Sequence, residues 1–100
     1  MTDDQFRAIL TAIDRQAEAE GVDFADPANI VTVWLDWMGT GKYEFHGAAT
    51  GLAHAQMLAG RRQAIIRTTE AGRIQIYTWK DQRIVDSYSD WDHGPSILNV

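Results

Sequence analysis

Asp26-Pro27-Ala28-Asn29-Ile30-Val31-Thr32-Val33-Trp34-Leu35-Asp36-Trp37-Met38-Gly39-Thr40-Gly41 is the stretch on which the fold turns. Asp26-Pro27 has the form of a helix start, a capping carboxylate followed by proline at the first helical position. Asn29, Thr32 and Asp36 would then share the polar edge of a helix ending at Gly39. Ile30-Val31-Thr32-Val33 argues the other way, because four β-branched residues in a row disfavour a helix and suit a strand. We read the run as a strand. Gly39-Thr40-Gly41 is then a hairpin turn, and Lys42-Tyr43-Glu44-Phe45 begins the returning strand. The choice sets the sheet: five strands on this reading, three or four if residues 27–38 are helical.

Towards the N-terminus the pattern is helical over about residues 3–20. Thr2 and Gln5 have capping-box spacing, and Asp3 and Asp4 suit the positive end of the helix dipole. Phe6, Ile9, Leu10, Ile13 and Ala17 recur at the spacing of one apolar stripe, so they are the expected core face. Gly21 is a natural stop.

Towards the C-terminus a second helix is expected over about 49–59, where Leu52, Ala55, Met57, Leu58 and Ala59 precede Gly60. Its small residues would let it lie close to a sheet. Three strand-like runs follow at 63–69, 73–79 and 83–88, joined by Glu70-Ala71-Gly72 and Lys80-Asp81-Gln82, connectors of hairpin length. The order α-β-β-α-β-β-β implies an α+β domain, an antiparallel sheet with two helices packed on one face. The 100 residues fit one domain, with 90–100 as a loosely packed tail broken by Gly94-Pro95.

Composition narrows the function classes. Cysteine is absent, which removes disulfides, thiolate zinc sites and a cysteine nucleophile, and suits a cytoplasmic protein. No stretch approaches the ~18 apolar residues of a membrane span. The net charge of −5 opposes broad binding to nucleic acid or anionic membranes. That charge is unevenly spread: residues 1–44 carry −6, residues 61–83 carry +4, and the last seventeen carry −3.

The residues offer little catalytic pattern. Gly39-Thr40-Gly41-Lys42 lacks the earlier glycine and the following Ser or Thr of a phosphate-binding loop, since Asp36 and Tyr43 stand there. The serines, Ser87, Ser89 and Ser96, sit in no nucleophile elbow. His46, His54 and His93 are scattered, and Asp90, Asp92 and His93 read as a polar turn rather than a metal site. No cofactor or metal is expected, and a small enzyme centred on His54 or His93 is the least favoured reading.

Binding is the better fit. Asp14, Glu18 and Glu20 lie off the apolar stripe of the first helix, and Asp36 ends the first strand, giving an acidic surface for a basic protein partner. In strand 73–79, Ile74, Ile76 and Thr78 share one face, while Arg73, Gln75, Tyr77 and Trp79 share the other. With the first face against the helices, the second would present Arg73, Tyr77 and Trp79 to a protein partner. The bland alternative puts Tyr77 and Trp79 in the core or in a homodimer seam.

A nucleic-acid reading would use Arg67, Arg73, Tyr77 and Trp79 as a stacking platform. The favoured expectation is a non-enzymatic interaction module. It would act like the phage-encoded inhibitors of similar size and charge that cover a basic surface of a nucleic-acid-handling protein.

Overall fold

The computed structural model describes residues 1–37 and 39–91, with Trp91 described by its backbone alone. Helix α1 spans Asp3–Glu20. The Thr2 hydroxyl accepts from the Gln5 N–H at 3.1 Å while the Gln5 side chain accepts from the Thr2 N–H at 2.9 Å, closing the capping box. Gly21 ends the helix in the left-handed region, at φ 72°, and Val22 N–H returns to the Ala17 carbonyl at 2.8 Å.

The stretch from Asp26 satisfies both of its signals in turn. Asp26 caps a single 3-10 turn, Pro27–Asn29, by accepting from the Ala28 N–H. The chain then extends as β1, Val31–Asp36. The proline start is real but lasts one turn, because the β-branched run that follows pairs on both sides instead of coiling.

Five strands follow the expected order. After β1 come β2 (Tyr43–Ala49), α2 (Leu52–Ala59), β3 (Ala64–Glu70), β4 (Arg73–Lys80) and β5 (Arg83–Trp91). They form one antiparallel sheet in the order β2-β1-β3-β4-β5. β2 and β3 flank β1, so α2 is the crossover that carries the chain over it.

The two helices, expected together, divide between the faces. β1 is buried at five consecutive positions, so it needs cover on both sides. Val31, Val33, Leu35, Ala64, Ile66 and Trp79 pack under Ala55 and Ala59 of α2. Trp34, Ile65, Ile74 and Ile76 pack under Phe6, Ile13 and Ala17 of α1. The register agrees: Val33 pairs with Ile66 and Trp34 with Ile65, so each pair shares a face. An uninterrupted apolar run marks a strand covered twice, which a one-face reading overlooks.

Helix α1 crosses its whole face. Near its start Phe6 meets Tyr88 of β5, and at its end Glu20 accepts from the Phe45 N–H of β2. α2 is shorter: it lies mainly against β1, β2 and β3 and reaches β4 at Trp79. Of the expected stripe, Phe6 and Ile13 are buried, while Ile9 and Leu10 are half-buried at its margin.

Candidate interaction surfaces

The acidic residues of α1 come together with the loop that follows it. Asp14, Glu18 and Asp23 rim an open groove of about 500 Å³, with Ala17, Val22 and Phe24 among its apolar lining. Glu18 and Asp23 are exposed, and neither forms an ion pair with a described residue. Asp14 is different. Its carboxylate accepts from Arg67 Nη1 at 2.6 Å.

Arg67 is 4% exposed, with its guanidinium 3.7 Å over the Phe24 ring and its Nε donating to Thr69 Oγ1. A buried guanidinium is tolerable only when paired and hydrogen-bonded. The Asp14–Arg67–Phe24 contact therefore pins α1 and its loop to the sheet and shapes the groove. Glu20 is likewise partly structural, since its carboxylate joins Gln16 to the Phe45 backbone.

The other expected site residues separate. Asp36 is half-buried on the α1 side, with Oδ2 accepting from Gln63 at 3.3 Å. Burial raises its carboxyl above the usual 3.8, and the Gly39 N–H and Gln63 amide offset this only in part. Tyr43 beside it is raised too, by burial first and then by the Asp36 charge.

Ile74 and Ile76 do meet α1, so Arg73, Gln75, Tyr77 and Trp79 occupy the other face. Trp79, read as either a partner anchor or a core residue, is 5% exposed beneath the end of α2, and its indole N–H donates to the Gly60 carbonyl at 2.9 Å. Arg73 is exposed and donates to Ser89 Oγ. Tyr77 is half-buried against the α2 cluster. Arg67 pairs with Ile76 rather than Tyr77 and so lies under α1, on the opposite face. The platform of Arg67, Arg73, Tyr77 and Trp79 is therefore not assembled: two members are buried, on different faces. The missing signal was length, because an eight-residue α2 reaches the end of β4 but not its start.

The two described histidines make separate local contacts. His46 Nε2 lies 3.1 Å from the Leu58 carbonyl, whereas His54 Nδ1 accepts from the Thr50 N–H at 3.1 Å ahead of α2. His93 and Asp92 lie outside the described residues, as does most of the expected tail. Among the described residues no three His, Asp or Glu side chains are grouped to hold a metal. No described helix is long and apolar enough to cross a membrane.

The register shows a charge pattern that a linear count hides. Lys42, Arg61, Arg62, Lys80 and Arg83 all flank the end of the sheet where β1 and β4 finish and β2, β3 and β5 begin. Asp26 and Glu70 line one recess at the opposite end, with Asp23 bonded to Asp26 through the backbone and Arg73 the cross-strand partner of Glu70. Trp37, 54% exposed, stands at the basic end with its indole N–H bonded to Glu44. Compared with models of known protein families, with curated proteins and with solved structures, the chain matches none.

Proposed function

We propose that this protein is a non-enzymatic interaction module that docks the acidic groove of α1 and its following loop onto a basic surface of another protein. The observation that supports this reading is the groove itself. Glu18 and Asp23 stand exposed beside an apolar lining, and Arg67 fixes the wall that carries them. Carboxylates around an apolar floor suit a surface of Lys and Arg that also buries some area. The mode of action is competition, in the manner of a cytoplasmic phage-type inhibitor: carboxylates cover cations that otherwise hold phosphates. The competing reading, single-stranded nucleic acid on the sheet, loses its footing with Arg67 and Trp79 both buried.

The test is paired affinity capture from the source cell with wild type and Glu18→Lys/Asp23→Lys, eluted with salt. Proteins with basic surfaces should be retained by wild type and lost by the variant, compared at a temperature where both are folded because Asp23 Oδ1 also accepts from the Ala25 N–H. Equal capture by both would remove the groove as the docking surface. A gel shift of generic single-stranded nucleic acid at low salt would favour the competing reading.

A further inference from the structure

The acidic groove leaves the other end of the molecule without a role, although most of the basic residues are there. Five of the nine lysines and arginines, Lys42, Arg61, Arg62, Lys80 and Arg83, are exposed at that end. None forms an ion pair with a described residue. Lys80 and Arg83 are direct cross-strand partners at the mouth of the β4–β5 hairpin, and Arg61 and Arg62 are consecutive. Like charges placed opposite each other disfavour the hairpin that holds them. An anionic surface brought against this end would turn that repulsion into attraction.

We infer that the basic end of the sheet takes the acidic end of a second copy of this chain. The inference shares the acidic residues of the proposed function, because the surface that meets the next copy borders the groove. Complementarity is what selects this occupant: at one end the five cations outnumber Asp36, Glu44 and Asp81, and at the other Asp23, Asp26 and Glu70 outnumber Arg73. A copy displaced along the strand axis sets one end against the other. Such a contact uses two different surfaces and so repeats from copy to copy instead of closing as a symmetric dimer. Each copy carries −5, so copies repel at long range, and the association is weak and concentration-dependent. Occupied in this way, the acidic side would be withdrawn from a foreign partner, which couples its availability to protein concentration.

Sedimentation of the full chain at up to ~1 mM, where weak contacts populate, tests this directly. The average mass should rise with concentration at moderate salt and return to the monomer at high salt. Arg61→Gln/Arg62→Gln should abolish the rise. Arg15→Gln, which removes a cation of α1 and none from either end of the sheet, should keep it. A second variant, Asp23→Asn/Asp26→Asn, should also stay monomeric alone.

Mixed with the arginine variant, it should give a one-to-one pair and nothing larger. Monomer under every condition, or a rise unaffected by the Arg61/Arg62 change, would overturn the inference. So would an oligonucleotide bound by wild type and lost by the Arg61/Arg62 variant, which would assign that end to phosphates. Foreign-partner capture that survives the Arg61/Arg62 change separates failure here from failure of the proposed function.

Discussion

At Arg67 the residue scale explains why the acidic helix cannot be treated as a uniform charged face. Asp14 and Glu18 are one helical turn apart, yet Asp14 holds a buried guanidinium and Glu18 faces solvent. Reversing Asp14 would set a cation against Arg67 and confuse folding with binding, which is why the docking test spares it. Asp36 offers a cleaner probe. Its carboxyl is raised by burial, so the folded state prefers the protonated form. Stability from this group is complete below its ordinary 3.8 and is lost as pH rises through the elevated folded value.

Asp36→Asn removes the ionisation and keeps an oxygen for the Gln63 amide. Denaturant unfolding should find the variant more stable than wild type at pH 7, with the gap closing as pH falls below 4. A gap that widens on acidification would reverse the assignment. Trp79 belongs at this scale too: buried and hydrogen-bonded to Gly60, it should cost about 3–5 kcal/mol when cut to alanine, read as a lowered denaturant midpoint. An unchanged midpoint would return it to the surface.

Elements were legible where local chemistry and tertiary need agree. The capping box, the stripe from Phe6 to Ala17 and the left-handed Gly21 delimit α1 without help from the rest of the chain. The β-branched run decided β1 correctly, and the meander followed from three strand-like runs with hairpin-length connectors. Which face each helix covers was not legible, because it depends on the β2–α2–β3 crossover that only pairing reveals.

The same holds for Trp79, whose alternation placed it on the right face but not under α2. The hairpin connectors also carry strain that sequence spacing conceals, at Ala71 in the β3–β4 turn and more so in the next one. Asp81 and Gln82 both adopt positive φ, 54° and 61°, in the β4–β5 turn. That conformation costs an ordinary L-residue about 1–2 kcal/mol, part of which glycine returns as unfolded-state entropy. Gln82→Gly should therefore stabilise the protein by about 0.5–1 kcal/mol, raising the melting temperature by about 4 °C. A lowered melting temperature would show that the Gln82 side chain contributes more than its backbone costs.

For the whole molecule the relevant quantity is where charge sits after folding. In the sequence the acids of residues 1–44 and the bases of 61–83 are blocks, but strand pairing mixes them: Asp36 and Glu44 lie at the end that gathers most of the cations, and Arg73 lies beside Glu70 at the other. Lys42 leaves the acidic block for the basic end, and Glu70 does the reverse. On the proposed docking, the exposed carboxylates of the groove would orient a basic partner before contact. Such steering acts mainly on the association rate and fades as ions shorten its range, which is about 10 Å at 0.1 M salt.

Glu18→Lys/Asp23→Lys should accordingly slow association with a captured partner by about tenfold or more at low salt. The two proteins should differ little in association rate at high salt, where both are screened. Dissociation should change less than association for as long as the apolar floor of Val22 and Phe24 still makes its contact. Binding kinetics at two salt concentrations measure both rates. A variant that dissociates faster while associating normally would show that Glu18 and Asp23 make close contacts in the complex and do not steer it.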